Sequence, residues 1–360
     1  MTTAERLDLL GALAPLLDPW TGPFDTDTLA AWLESELGSA KVLDGPALSA
    51  PGHHLSQARP LSPLLVVISG NTPHAACQSL LRTLVLGAKA HFKLPSAGLP
   101  TFEEILARLP EPLSALVETS RELPDDWQER FGGLVVYGSD DTIRWFSERV
   151  PPSMPFLRHG TRLAIARIDG APAEAAPLAA RDVSLFDQQG CLSLHNVYLS
   201  PGAGTSAREF AAMLADAMAT FNRDSPRGEL SLSESGAIAT LRETARYRAA
   251  NDPTSCQLWE SPGSTQWTVI FEDDPTIQPS CLNRVVYVKP WPRDPSALGR
   301  DVRNLSGCAL HPWTLDAAAS LVHLPVSRVC PLGSCQTPPT TWHHDGLPAL
   351  GALVRWIDLA

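Results

Sequence analysis

L-L-V-V-I-S-G-N-T-P-H-A-A-C-Q-S-L-L-R-T-L-V-L-G-A-K-A-H-F-K-L-P, residues 64–95, decides the fold. Its first residues, Leu64 to Ile68, are apolar and rich in β-branched side chains, the composition of a short strand buried on both faces. Gly70-Asn71-Thr72-Pro73 breaks that strand. A strongly apolar helix over residues 74–87 follows and stops at Gly87, and a second strand over 90–94 closes at Pro95. Strand, helix and strand of these lengths make a parallel βαβ unit.

The pattern extends outward. Upstream, residues 3–37 carry apolar side chains at helical spacing, interrupted at Asp18-Pro19, and a polar Pro/Gly-rich connector spans 45–63. Downstream, 102–109 is helical, 133–137 is a strand ending in Gly138-Ser139, and 140–150 is a helix with acids in its first turn. Further strands are expected at 162–168, 194–200, 267–271 and 284–289, with an amphipathic helix over 206–221. Strands alternating with helices throughout predict an α/β fold of two Rossmann-like lobes with parallel-type sheets. The expected division is 1–158 for N-terminal helices plus a dinucleotide-binding domain, 159–325 for a catalytic domain, and 326–360 for a tail packing back on the first. No internal repeat or low-complexity tract interrupts this order.

Composition narrows the function. The chain has 360 residues, 44% of them hydrophobic and 19% charged, as in ordinary globular proteins. A net charge of −11 repels a phosphate backbone, so an extended nucleic-acid interface is not expected. No run of apolar residues is long enough for a membrane span. The start, M-T-T-A-E-R-L-D-L-L, is acidic and helical where a leader would be basic and then apolar, so a cytoplasmic location is expected. The seven cysteines are odd in number and form no C-x-x-C, so neither a disulfide framework nor a metal site is expected.

In open α/β sheets ligands sit beyond the carboxyl ends of the strands. Gly70-Asn71, Lys93, Gly138-Ser139 and the loop carrying Cys191 fit that position in the sequence order. Asn71 is either an amide donor for a developing oxyanion or a turn residue before Pro73. Lys93 is a phosphate or ribose contact, or a solvated strand end. Ser139 is a pyrophosphate contact on a helix N-terminus, or simply that helix's cap. Cys191, in F-D-Q-Q-G-C-L-S, is a nucleophile or a core thiol; the polar approach and Gly190 weaken the core reading. G-x-G-x-x-G and G-x-S-x-G are both absent. His343-His344-Asp345 lacks any H-E-x-x-H context and reads as a structural or hydrogen-bonding contact.

Taken in order, Gly70-Asn71-Thr72-Pro73, Lys93, Gly138-Ser139 and F-D-Q-Q-G-C resemble the aldehyde dehydrogenase superfamily. More narrowly, R-V-C-P-L-G-S-C-Q-T-P-P-T-T-W-H-H-D-G-L-P-A-L-G-A-L-V-R-W, residues 328–356, resembles the LuxC-type acyl-CoA reductases. The resemblance implies an aldehyde-dehydrogenase-like fold. It implies NAD(P)H-dependent reduction of an acyl-CoA, or another acyl-carrier thioester, to the aldehyde. Cys191 matches the nucleophile, Asn71 the oxyanion-hole amide, Lys93 the ribose-binding lysine and Ser139 the serine near the pyrophosphate, with Gly70 and Gly138 in the adjoining turns.

The departures are informative. Oxidising members carry E-L-G-G-K where this chain has L-R-H-G-T-R, so Leu157 takes the place of the water-activating glutamate. Ser96 replaces the acid that holds a ribose 2′-hydroxyl, which favours NADPH over NADH. P-S-C-L-N-R, residues 279–284, replaces the later E-x-F-G-P and its ribose-binding acid. His159 is a candidate proton donor or cation near the thiolate, and otherwise a turn residue. The chain is shorter than usual members, so a homo-oligomer or an acyl-transfer partner protein stays open. An aldehyde oxidiser that works without CoA, and a non-catalytic subunit, are the competing readings.

Overall fold

A computed structural model describes residues 1–48, 55–70 and 72–359. It divides into two compact units, 1–161 together with 338–360, and 162–337.

In the first unit, three helices, α1 (Thr3–Ala12), α2 (Ala14–Thr21) and α3 (Thr26–Leu37), precede the sheets. Thr2 and Glu5 form a reciprocal capping box on α1, and Asp25 caps α3. The helical break falls at Leu13 rather than at Asp18-Pro19. Pro15 in the first turn of α2 favours a fresh start there, whereas Pro19 is carried inside α2, which ends at Gly22. The expected connector over 45–63 is also partly ordered. It contains β1 (Ala47–Leu48) and β2 (Leu55–Pro60), and β2 pairs antiparallel with residues 354–359 at the other end of the chain. That pairing joins segments almost three hundred residues apart, and no local pattern announces it.

The larger sheet of this unit is wholly parallel. Its strands are β3 (Leu64–Val67), β4 (Ala90–Lys93), β5 (Val117–Ser120), β6 (Gly133–Tyr137) and β7 (Phe156–His159), in the order β5-β4-β3-β6-β7. The order reverses between β3 and β6, so the crevice of a doubly wound sheet opens there. Strands β3 and β6 are buried along their whole length, as a central parallel strand must be when helices cover both faces. Helix α4 (His74–Leu86) links β3 to β4 and is almost entirely buried. It ends on Gly87, whose φ of +71° closes the last turn. Helices α5 (Pro100–Ala107), α6 (Trp127–Arg130) and α7 (Asp140–Ser147) complete the crossovers.

The second unit holds a seven-stranded sheet of β8 (Leu163–Ile168), β9 (Leu194–Leu199), β10 (Cys256–Glu260), β11 (Thr268–Glu272), β12 (Val285–Pro290), β13 (Leu305–His311) and β14 (Arg328–Pro331). The order is β10-β11-β12-β9-β8-β13-β14, and only the β10 edge is antiparallel. Helices α8 (Pro172–Ser184) and α9 (Ala207–Asp224) pack an alanine-rich face against one side of the sheet. Small side chains let helix and sheet approach closely, and Phe210, Trp267 and Phe271 fill the rest of the core. Helix α10 (Leu232–Asn251), capped by a Ser231–Glu234 box, leads into the β10 edge. Because β14 extends this sheet, residues 326–337 pack here rather than with the tail. The tail of the first unit is 338–360. Among the described residues, no helix is long and apolar enough to cross a membrane.

One carboxylate adds to the strand pairing that holds the tail. Glu36 Oε2 accepts the backbone N–H groups of Leu350 (2.7 Å) and Gly351 (2.9 Å), and Oε1 accepts those of Ala349 (3.1 Å) and the Trp32 indole (2.7 Å). Four donors converge on one charge, each stronger than a neutral hydrogen bond. Glu36→Gln keeps the shape but turns one end of the side chain into a donor facing donors. It should lower stability by about 1–3 kcal/mol, read as a lower urea midpoint at unchanged slope; an unchanged midpoint refutes the latch.

Candidate active site

Cys191 lies in a tight turn at the amino end of β9. Ser193 N–H donates to the Gly190 carbonyl at 3.0 Å, and the Ser306 hydroxyl donates to the Cys191 carbonyl at 3.3 Å. The carboxyl-end rule therefore does not apply to this loop, because the cysteine precedes its strand. Of the seven thiols, Cys191 alone is exposed. Burial pushes the Cys77 thiol up to about 12 and raises those of Cys256, Cys281 and Cys308. Those cysteines are held as neutral thiols, leaving Cys191 as the accessible sulfur.

The turn is fixed by what comes before it. Phe186, Asp187 and Gln188 all adopt left-handed backbone, with φ of 53°, 52° and 65°. Each such residue costs roughly 1–2 kcal/mol. The compensation comes from side chains. The fully buried Gln188 amide donates to the Leu194 and Val285 carbonyls, both at 2.7 Å, and accepts Val285 N–H at 2.9 Å. It therefore ties the turn to the first residues of β9 and β12 at once. Asp187 accepts from the Arg284 guanidinium (2.9 Å) and from Gly228 N–H (3.0 Å). Opposite, Leu282, Asn283 and Arg284 are left-handed too, and Gln189 donates to Asn283 at 3.0 Å. Gln336 donates to the Ser193 hydroxyl at 2.6 Å, and its side chain fills the space a Cβ on Gly190 would need. Two strained segments thus brace each other beneath the cysteine. His195, next along β9, accepts from Ser280 N–H, and burial lowers its pKa to about 4, so it stays neutral.

In the first unit, the carboxyl edge of the parallel sheet gathers the other predicted residues. Gly70 follows β3, Lys93 ends β4, Ser96 lies in the next turn, and Gly138-Ser139 follow β6. Asn71 lies outside the described residues. Gly70 and Gly138-Ser139 therefore flank the reversal point between β3 and β6. A Cβ on Gly70 would stand 3.3 Å from Pro95, so the turns after β3 and β4 are in contact. Lys93 is half-buried. Ser139 caps α7, its Oγ accepting Thr142 N–H at 3.3 Å. Asp140 and Asp141 occupy the first turn of that helix and oppose an anion at its N-terminus, and the Ser139 hydroxyl shares a hydrogen bond with the Thr142 hydroxyl at 3.2 Å.

Arg121 is a further cation at this edge that the sequence did not single out. It follows β5, a short strand of alternating polarity (Val-Glu-Thr-Ser) that the sequence did not reveal. Its guanidinium donates to the Pro95 carbonyl (3.3 Å) and pairs with Glu103, overlying the turn that holds Ser96. Gly98, at φ +85°, makes room for it: a Cβ there would stand 2.6 Å from the guanidinium. A cation just past the strand next to Lys93 was the available signal.

His159 ends β7 and is buried, not a solvent-facing turn residue. Its Nδ1 lies 2.7 Å from Asp345, which fixes the proton on Nδ1. The ring stacks on Tyr137 (4.5 Å, 11°) and on His344 (4.4 Å, 27°), and His344 stacks on Trp342. The His343-His344-Asp345 tripeptide is thus a hydrogen-bonding contact, with His344 inward and His343 outward. Leu157, two residues earlier, packs against the apolar core of this unit.

Residues 20–356 match the family described as acyl-CoA reductase (LuxC). The chain is 25% identical over 357 residues to long-chain acyl-protein thioester reductase 2 of Photobacterium leiognathi, covering 91% of this chain and 69% of that one. It is 24% identical over 342 residues to the long-chain acyl-protein thioester reductase of Aliivibrio fischeri, covering 90% and 68%. Among solved structures, betaine aldehyde dehydrogenase of Staphylococcus aureus, in complex with NAD+, superposes with a TM-score of 0.69 at 13% identity, covering all of this chain and 82% of that one. The NADP-dependent glyceraldehyde-3-phosphate dehydrogenase of Bacillus halodurans, complexed with NADP, gives 0.66 at 14%, covering all of this chain and 88% of that one. The fold is aldehyde-dehydrogenase-like, as expected.

Accessibility of a single thiol has a direct consequence. Brief treatment of the native chain with iodoacetamide should give one adduct, which peptide mapping assigns to Cys191, with half-buried Cys281 following more slowly. Equal labelling of Cys77 or Cys308 would contradict this description of the thiols.

Proposed function

The chain belongs to the acyl-CoA reductase (LuxC) family, and from that premise we propose that it reduces an acyl thioester to the aldehyde through an acyl group carried on Cys191, with NADPH as reductant. The observation that carries this reading is Cys191 itself, the one exposed thiol, on a turn braced by Gln188 and Asp187. In this reading the Cys191 thiolate attacks the thioester carbonyl and expels the carrier thiol. The oxyanion is met by the Cys191 backbone N–H and, from the family resemblance, by the Asn71 amide. A reduced nicotinamide, when bound, supplies the two electrons that convert the acyl group to aldehyde.

Leu157 supports reduction over hydrolysis. An apolar side chain stands where oxidising relatives hold a general base, so no carboxylate at that position activates water against the acyl group. His159, with its proton on Nδ1 facing Asp345, is the proposed proton-handling group. Acyl-CoA is the proposed donor, after the family description; the relatives' names specify an acyl-protein, so a carrier-protein thioester is the other arm of the test.

The cofactor fit rests on the carboxyl edge of the first sheet. Lys93, half-buried, has no carboxylate within ion-pair distance among the described residues and suits a ribose or phosphate oxygen. Ser96 is exposed and neutral, and Arg121 lies over its turn, a pairing that suits a 2′-phosphate. Gly70 and the Ser139 hydroxyl allow close approach of a pyrophosphate. The acids at the start of α7 keep that helix from serving as the phosphate cradle, so this grip depends on Lys93 and Arg121.

Incubation with acyl-CoA thioesters of graded length and NADPH should oxidise NADPH and release free thiol in equal amounts. Cys191→Ala should lower the rate by about 10³-fold or more and abolish the acyl adduct seen by intact mass. Full activity of that variant refutes the nucleophile, and no cofactor oxidation with either CoA or carrier-protein thioesters refutes the reductase. Aldehyde-dependent reduction of NADP without CoA would favour the oxidiser instead.

Arg121→Ala tests the cofactor separately. It should raise KM for NADPH about tenfold, the loss of one charge-assisted phosphate contact, and leave KM for NADH nearly unchanged. A parallel rise for both nucleotides removes the 2′-phosphate assignment.

A further inference from the structure

Gln336 is distant from Cys191 in sequence, yet its side chain packs under the turn that carries the cysteine. It is 8% exposed. Its amide donates to the Ser193 hydroxyl at 2.6 Å. Its Oε1 stands 2.7 Å from the point that a Cβ on Gly190 would occupy, and the Ser193 Oγ stands 3.4 Å from the same point. One side chain therefore touches both ends of the turn from Gly190 to Ser193. Gln336 is itself anchored through its neighbour. The Cys335 N–H donates to the buried Asp182 carboxylate at 3.2 Å, and the Cys335 carbonyl accepts from Arg328 at 2.7 Å.

What this turn fixes follows from the planarity of the peptide bond. Ser193 N–H donates to the Gly190 carbonyl at 3.0 Å, which holds that carbonyl inside the turn. The Gly190–Cys191 peptide is trans, so its N–H points the opposite way, out of the turn. That N–H belongs to Cys191. The plane can tilt about the bonds on either side of it unless Gly190 and Ser193 are both held. A glycine resists such tilting least of all residues, because it has no Cβ. Gln336 holds both points, by packing on Gly190 and by its hydrogen bond to Ser193.

We propose that Gln336 is a positioning residue for Cys191: it fixes the Gly190–Cys191 peptide plane and so aims the Cys191 N–H at the oxygen of an acyl group under attack. This rests on the reading of Cys191 as the acyl-carrying nucleophile. Gln336 then acts on the oxyanion and not on the thiol, which separates it from a general role in folding. Acylation of the sulfur passes through a tetrahedral oxyanion. Alkylation by iodoacetamide displaces iodide from a saturated carbon and forms none.

The test compares two small probes of the same thiol on the full chain. p-Nitrophenyl acetate acylates the thiolate: a bond forms between Sγ and the acetyl carbon, and p-nitrophenolate leaves with the electron pair of the broken C–O bond. Gln336→Ala should slow that acylation by about 10–100-fold, while iodoacetamide labels Cys191 at the rate of the natural chain. Gly190→Ala should slow acylation as well, because its Cβ displaces Gln336. The double variant should be no slower than Gln336→Ala alone. Equal slowing with both probes makes Gln336 a structural residue and overturns the proposal. Unchanged acylation overturns it too, as do losses that multiply in the double variant. If Gln336→Ala fails to fold, Gln336→Met, which fills the space without a donor, should show the same split between probes. Neither probe needs a thioester or a nicotinamide. Failure of the reductase reading therefore shows separately, as absent NADPH oxidation in a chain that p-nitrophenyl acetate still acylates at Cys191. A natural chain that this ester leaves unacylated at Cys191 overturns the proposal.

Discussion

The Gln188 amide is the interaction on which the second unit's chemistry depends. A parallel sheet leaves the amino ends of its strands with backbone groups that no neighbour in the ladder satisfies. Here one buried side chain answers three of them, on β9 and β12 together. The left-handed backbone at 186–188 presents the amide to both strands. The strain and the clamp are therefore one feature. Without the Gln188 bonds the left-handed run keeps only the braces at Asp187 and Gln189, and without that run Cys191 loses its fixed position ahead of β9.

The first unit meets a different constraint. Its sheet is parallel throughout, so every connection must cross over, and the chain has to reverse direction once to use both edges. The reversal between β3 and β6 brings the turns at Gly70 and Gly138 side by side, although they are far apart in sequence. Contact between Gly70 and Pro95 adds the β4 turn to the same edge. Topology alone therefore assembles residues of the proposed cofactor site. Glu36 then fastens the chain's last segment to α3, which brings Asp345 to His159.

How much of this was legible follows from range. Strands β3, β6, β9 and β12 were readable because burial on both faces leaves an uninterrupted apolar run. Helix α9 was readable from its amphipathic face and the Ser206 cap. Local signals missed whatever depends on a distant partner. Strand β2 is polar and gains its identity from residues 354–359. Strand β5 alternates too briefly to stand out, and Arg121 was lost with it. Helix α8 carries Pro177 inside it and was not anticipated; its alanines form a helix because α9 and the sheet press on them. The order of the site residues was legible, whereas the strain beneath Cys191 was not, since no residue there is glycine. Asp187 and Asn283 are types that tolerate left-handed backbone, but only the facing segment makes them adopt it.

Net charge frames the proposed chemistry. A chain at −11 repels both a CoA thioester and NADPH at long range. At physiological salt such repulsion fades beyond about 8 Å. Binding must then come from the few cations within contact distance, and the cost of removing one is correspondingly large. At the first sheet's edge those cations are Lys93 and Arg121, and Glu103 already offsets part of the second. The replacement of an acid by Ser96 gains meaning here. One carboxylate fewer at that edge shifts the local balance toward a phosphate by about as much as adding a cation would.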